Sequence, residues 1–543
     1  MTRWTQIAMA AALALGAVHP ERSEAESKGA YAQGERTPSV RADPSDLGGA
    51  VRAALAALDD EDVPAAREVV EPLLASRPDV PAVQTIAGIL RFHEQRYAEA
   101  AELLDKSKLP TGSIDYLKIS RAAAEVTKDH ARAESDHFIV SYPKGKDEVL
   151  APFVLDALEA QRRALKEDLG WETSGGKLVI EVLNDTRELA RISTLTEEEI
   201  KTSGTIALCK FNKLMIVSPK ALVKGYDWLD TAAHEYTHHV VTARTHNNTP
   251  IWLHEGLAKY SEPRWRGSAG ELSAWSANLL RDAVKKNDLV TFQQMHPSMA
   301  KLPSQEKAAL AFAEVMVAVE YLQKKGGRPL MTRVLDLVAS GTAAEKAVAQ
   351  ALGVSFDAFL ADWKRYMAAR PLPAGGEDDA GEKKRFKGDP KHGGSHSEWA
   401  EIPDQKARGF ARLGEILRER GRWGAARIEY GKAVERVGKG YPVLSHKFAL
   451  AAMSSGHEQQ AVDALTEALK RHPQYAALHV AMGRVQAKEK AWEKARDSFL
   501  QANATDPFDP EIHAGLALAW EGLGDAGLAS REKRFAQLLT HGR

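Results

Sequence analysis

The sequence predicts a multidomain α+β protein, mostly α, in which a small mixed sheet and two site-bearing helices are flanked on both sides by helical repeats. Three observations lead there. Gly414, Ala449, Gly483 and Ala517 recur at spacings of 35, 34 and 34, the period of a helical array. Short β-branched runs cluster between His137 and Val217. Between these regions, His234-Glu235-Tyr236-Thr237-His238 is followed closely by Trp252-Leu253-His254-Glu255-Gly256-Leu257-Ala258, metal-binding residue types at helical spacing.

At 543 residues the chain is too long for one core and divides into three or so domains. Hydrophobic residues make up 44% and charged residues 27%, an ordinary soluble composition. Lys+Arg 73 against Asp+Glu 74 leaves a net charge of −1, so no global field points to nucleic acid or to a membrane surface. Cys209 is the single cysteine, which excludes an intrachain disulfide, and it reads as a small buried hydrophobe.

Taken in order, residues 1–25 read as a secretory signal peptide. Arg3 precedes an apolar run from Ile7 to Val18, too short to span a bilayer, and polar residues follow from His19. Beyond that segment no membrane span is expected. The protein is expected to be exported, periplasmic or extracellular, and bacterial, since it lacks disulfides. Residues 26–45 are a polar, disordered leader. Residues 46–130 carry helical periodicity, and Ala87-Gly88, Tyr97, Ala100 and Leu104 match the small and large positions of a tetratricopeptide repeat, with a plain helical hairpin as the alternative.

Residues 131–369 change texture. Strands are expected at His137–Tyr142 and Lys177–Leu183, a helix at Val149–Leu169, and a hairpin of Thr205–Leu208 with Lys213–Val217. A helix then starts near Asp227, capped by Asp227 or Asp230, and ends around His246-Asn247-Asn248, where Asn tolerates a left-handed conformation. Thr249-Pro250 is expected to start the next helix as N-cap and first residue, placing Glu255 on its second turn. Helical patterns continue over Ala308–Lys325 and Thr342–Met367. Residues 370–398 read as an exposed linker whose His392 and His396 are solvated, not ligands. Residues 399–543 hold the array. Ala426, Ala461, Ala495 and Ala529 keep the spacing of the first small-residue set, and Pro473 and Pro507 are 34 apart. This describes tetratricopeptide repeats presenting a surface to a protein partner.

Residues four apart on a helix share a face, so His234 and His238 can converge on one ion. Glu235 reaches a water there rather than the ion itself, and Glu255 offers a third ligand seventeen residues after His238. Three protein ligands and one open position describe a catalytic zinc site.

With Trp252-Leu253-x-Glu255-Gly256-x-Ala258-x-Tyr260 after the first motif, the chain resembles the gluzincin metallopeptidases, nearest the aminopeptidase N-like pattern and the bacterial peptidase MA-like domains. The resemblance covers about residues 135–370, with its specific motifs in 234–262. It implies a gluzincin-like domain with one Zn2+ per chain on His234, His238 and Glu255, Glu235 as general base, and a peptide or protein substrate. Two departures stand out. The tyrosine that opens a later helix in the aminopeptidase N-like enzymes is replaced at Phe312-Ala313-Glu314-Val315, leaving Tyr260, Tyr321 and His254, or His246, as candidate oxyanion donors. The family's exopeptidase motif is also missing, so an endopeptidase is expected. The sequence reading is thus an exported zinc endopeptidase whose repeats recruit protein; its alternative is a zinc-binding scaffold with little or no turnover.

Overall fold

The computed structural model describes residues 46–172, 176–223, 225–296, 298–299, 302–371, 399 and 402–540. The expected signal peptide, leader and linker, with His392 and His396, lie outside them. The fold is mostly helical with one small mixed sheet, as expected, and it forms two compact units.

Among the described residues, the first unit opens with five helices: α1 (Leu47–Asp59), α2 (Val63–Ser76), α3 (Pro81–His93), α4 (Tyr97–Ser107) and α5 (Tyr116–Thr127). Asp46, Asp62 and Asp115 cap α1, α2 and α5 by accepting a backbone N–H of the first turn. The sheet follows, with β1 (His130–Glu134), β2 (Phe138–Pro143), β3 (Leu178–Leu183), β4 (Ala207–Cys209) and β5 (Lys213–Val217) in the spatial order β1-β2-β3-β5-β4. The centre is parallel, with Phe138 opposite Leu178 and Val182 opposite Ile216; β1 and β4 are antiparallel edges. Strands buried on both faces need continuous apolar runs, and β3 and β5 are buried along their whole lengths.

Two ionisable residues interrupt those runs and neutralise each other. Lys213 donates to Glu181 at 2.7 Å and to the Tyr97 hydroxyl at 2.7 Å, while that hydroxyl donates to Glu181. Tyr97 lies on α4, so the N-terminal helices and the sheet share one core.

Helices α6 (Ala151–Leu169), α7 (Thr186–Ile192) and α8 (Glu197–Ser203) lie between strands in the chain. Then come α9 (Trp228–Thr245), α10 (Ile251–Ser261), α11 (Ala274–Lys286), α12 (Gln305–Ala339), α13 (Ala344–Leu352) and α14 (Phe356–Ala369). Several boundaries differ from the sequence expectation. The strand β1 was not anticipated, because His-Ala-Arg-Ala-Glu has no apolar alternation and stands half-exposed at an edge. Pro250 is the N-cap of α10 rather than its first residue, its ψ of 155 being extended, and Thr249 pairs instead with the Thr245 hydroxyl at 2.7 Å. The expected helix at 308–325 belongs to the longer α12, broken at Gly327 with φ 58. The one expected at 342–367 is two helices, separated where Gly353 turns left-handed with φ 71.

The second unit contains the repeats: α15 (Gln405–Glu419), α16 (Trp423–Val437), α17 (Pro442–Ser454), α18 (Glu458–Arg471), α19 (Ala476–Lys488), α20 (Trp492–Asn503), α21 (Pro510–Leu523) and α22 (Ala526–Thr540). The periodic small residues sit where helices cross. A Cβ on Gly414 would meet the Tyr430 ring at 2.7 Å, and one on Gly483 the Phe499 ring at 2.9 Å. The same unit takes in Gly145–Leu150 and Ser218–Leu229, and within it the Trp228 indole N–H donates to the Asn503 carbonyl at 2.9 Å.

Candidate metal centre

Helix α9 turns Tyr236 onto the sheet, where its ring meets Phe138 edge-on at 5.1 Å between centroids. His234 and His238, each two residues from Tyr236, therefore face away from the sheet. After α9 the chain reverses at His246 and Asn247, both left-handed (φ 51 and 54), which fits the expected Asn stop. The reversal lays α10 beside α9 and brings Glu255 to the two imidazoles. Gln161 of α6 holds the pair together, its amide donating to Thr237 at 3.2 Å and to the Ser261 carbonyl at 2.8 Å. Asp230 does not cap α9; it accepts from Arg266 at 2.5 Å and from the Trp265 indole at 2.8 Å, fixing the first turn of α9 to the segment after α10.

The three donors form a nearly equilateral triangle. His234 Nε2 lies 3.1 Å from His238 Nε2 and 3.4 Å from Glu255 Oε2, and His238 Nε2 lies 3.3 Å from Glu255 Oε2. Tetrahedral zinc ligands at about 2.0–2.1 Å from the ion stand about 3.3–3.4 Å apart, so the spacing fits such an ion. Two facing imidazole nitrogens make a poor hydrogen bond, and His238 Nδ1 is buried with no partner, so hydrogen bonding alone does not account for the cluster. All three side chains keep 12–20% of their surface exposed, so the triangle is reachable from solvent.

Supporting groups complete it. Glu262 accepts at His234 Nδ1 (3.2 Å) and is itself paired with Lys259 at 2.5 Å, which leaves Nε2 of His234 free to face the centre. Burial disfavours the charge on His234, but its hydrogen bonds to Glu255 and Glu262 outweigh that and push it up to about 10. Burial raises Glu255 as well, yet the charge of His238 and the hydrogen bonds to both histidines hold it well below the usual carboxylate range. Glu235 lies beside the triangle, accepts the backbone N–H of Cys209 on β4, and is raised by burial.

Of the expected oxyanion donors, His254 packs against the triangle and Tyr321 is bonded away from it. Tyr321 donates to Asp362 at 3.4 Å and packs against Phe359 and Tyr366. The electrostatic neighbours of Tyr260 are Asp168, Glu320, Arg264 and Tyr366. His254 stacks on His238 at 4.4 Å, bonds its carbonyl and faces Thr242; burial with His238 beside it lowers its pKa to about 3, so it buttresses a ligand as a neutral ring. His246 is largely exposed and faces Asp60. Phe312 stands two turns inside α12 rather than at its start, because the Ser304 side chain caps that helix by accepting from Lys307 N–H. Sequence reading missed Glu262 and the amide of Cys209. Glu262 carried a signal, since it lies seven residues after Glu255 on the same helical face.

Residues 179–369, which include every donor of the triangle, match the Peptidase MA superfamily. Residues 51–112 and 452–519 match the Tetratricopeptide repeat, so the N-terminal helices are repeats and not a plain hairpin. The chain therefore combines a Peptidase MA superfamily domain, a class typically metal-dependent, with protein-interaction repeats on both sides. No curated protein matches the chain. Among solved structures, the crystal structure of an APC/C hetero-tetramer, Cut9-Hcn1, is similar over 91% of this chain and 79% of that chain, at 15% identity and a TM-score of 0.26, a superposition too loose to carry an argument. No helix among the described residues is long and apolar enough to cross a membrane.

Proposed function

We propose that this chain is an exported zinc endopeptidase of gluzincin type whose repeats recruit protein substrate or partner. The observation that carries the reading is the triangle of His234, His238 and Glu255, spaced 3.1–3.4 Å, with a carboxylate that is not a ligand beside it. One Zn2+ per chain, held by those three residues, would supply a Lewis acid and lower the pKa of a water to about 7. The protein's own residues move the proton. Glu235 accepts it from the attacking water and returns it to the leaving amine, its burial raising its proton affinity for that task. Glu262 orients His234, His254 buttresses His238, and the Cys209 amide aims Glu235. Export rests on Arg3 and the apolar run from Ile7 to Val18.

One observation favours a second reading, a zinc-binding scaffold with little turnover. Tyr321 is hydrogen-bonded to Asp362, and the electrostatic neighbours of Tyr260 are Asp168, Glu320, Arg264 and Tyr366, none of them a member of the triangle. Peptide-library cleavage by the full chain, with Glu235→Gln as control, decides between them. Cleavage that disappears in Glu235→Gln while about one equivalent of zinc is retained supports the peptidase. Zinc retention with no cleavage by either protein establishes the scaffold, and failure to hold about one equivalent removes both.

A further inference from the structure

A second group of metal-ligating side chains lies one residue further along α9. His239 is buried, and its Nδ1 stands 2.5 Å from Oε2 of Glu61, a carboxylate only 9% exposed. Glu61 belongs to the turn between α1 and α2 and holds φ at 59, a region that non-glycine residues seldom occupy. The third member is Cys209, the last residue of β4. The donor atoms of all three lie within 4.8 Å of one another, although the residues come from a repeat turn, a sheet edge and the site helix.

We propose that Glu61, Cys209 and His239 form a second site for a zinc-class divalent ion, separate from the triangle of His234, His238 and Glu255. Imidazole, thiolate and carboxylate together are a borderline-soft donor set that suits zinc and disfavours magnesium and calcium, which take oxygen alone. Two of the three donors are anionic in the bound form, whereas the triangle has one, so this set complements a dication more fully. Without an ion, burial and the nearby carboxylates of Glu61 and Glu235 keep the Cys209 thiol neutral; a bound cation reverses that balance and takes the thiol as thiolate.

Zinc donors at about 2.0–2.3 Å from the ion stand about 3.3–3.8 Å apart. The Glu61–His239 hydrogen bond at 2.5 Å must therefore open by about 1 Å, which rotation of the Glu61 side chain supplies. Three protein donors leave a fourth position for water. An ion here ties the α1–α2 turn to β4 and α9, next to the amide that aims Glu235. The bland alternative is a hydrogen bond between Glu61 and His239 beside a buried thiol. The proposal does not depend on the chain being a peptidase.

The test is cobalt titration of the full chain after removal of metal by a chelator, followed by absorption and by metal content. Wild type is expected to bind two equivalents, with a near-ultraviolet thiolate-to-cobalt charge-transfer band belonging to one of them. Cys209→Ser should lose that band and one equivalent, and Glu61→Gln should weaken the band's binding by at least the about 10–100-fold that an outer-shell partner is worth. His234→Ala should keep the band and lose the other equivalent, so failure of the triangle and failure of this site give different results. One equivalent and no thiolate band in wild type overturns the proposal without reliance on any variant, leaving only the Glu61–His239 hydrogen bond.

Discussion

Gly256→Ala tests whether the packing behind Glu255 positions that proposed zinc ligand. Gly256 follows Glu255 on α10 and backs onto α12, where an added Cβ would meet the Val315 carbonyl oxygen at 2.7 Å and Val319 Cγ2 at 2.9 Å. Ordinary contacts stand at about 3.5–4.0 Å, so α10 must move from α12 by about 0.8–1.3 Å. Two effects compete. Alanine in a helix interior is better than glycine by about 0.8–1.0 kcal/mol. Overpacking costs about 1–3 kcal/mol, and the upper part of that range applies because one obstacle is backbone rather than a side chain that can rotate. The net expectation is destabilisation of about 1–2 kcal/mol, read as a lower urea midpoint with an unchanged slope for the metal-free chain. The shift carries Glu255 with it, so zinc affinity should fall about tenfold or more, measured by competition with a chromogenic chelator. A variant as stable as wild type or more so would show that helix propensity wins and that the α10–α12 contact does not fix the ligand.

Three further outcomes follow from the same geometry. Zinc binding near pH 7.5 should release about one proton, because His234 must give up the proton it carries in the metal-free chain. The sign is set by the raised pKa: the protonated ring stabilises the metal-free chain below the unfolded value of 6.5, that contribution is lost as pH rises through about 10, and zinc affinity climbs over the same interval. Calorimetry in buffers of different ionisation heat measures the release, and none at all would contradict the assignment. Glu262→Ala removes the partner of His234 Nδ1 and should weaken zinc binding about 10–100-fold without changing its stoichiometry. Lys213→Met leaves Glu181 buried and short of a cation, at a cost of about 3–5 kcal/mol, whereas replacing Tyr97, Glu181 and Lys213 together by Phe, Leu and Met should recover most of it. Thermal melts showing a loss below about 1 kcal/mol for the single change would refute the coupling.

What was legible in the sequence was periodic. His234 and His238 are one helical turn apart, the array repeats every 34 residues, and β3 and β5 are apolar runs interrupted only by Glu181 and Lys213, so local spacing specified each of them. What escaped was set by tertiary contact. The strand β1 has no apolar pattern and exists because β2 offers it an edge. The start of α12 was misplaced because Ser304 and Lys307 carry the cap before the apolar stretch begins. Nothing local links Glu61 to His239 or Tyr97 to Glu181 and Lys213, since those pairs are separated by a large part of the unit.

The same contacts change how the N-terminal repeats are understood. Read from periodicity alone, residues 46–130 and 131–369 are neighbours along a chain. In the structure, Tyr97 of α4 satisfies two ionisable groups inside the sheet, Phe92 of α3 meets Phe211 of the β4–β5 turn edge-on at 5.1 Å, and the α1–α2 turn supplies Glu61 to the site helix. Desolvated charges at Glu181 and Lys213 are costly unless paired and hydrogen-bonded, so the sheet that seats α9 depends on α4 for part of that satisfaction. A perturbation of the repeat helices therefore has a physical route to His238 and Glu235 that runs through packed residues of a single compact unit. That route makes the N-terminal repeats part of the framework of the candidate metal centre, and leaves protein interaction as the role best suited to the array beyond residue 404.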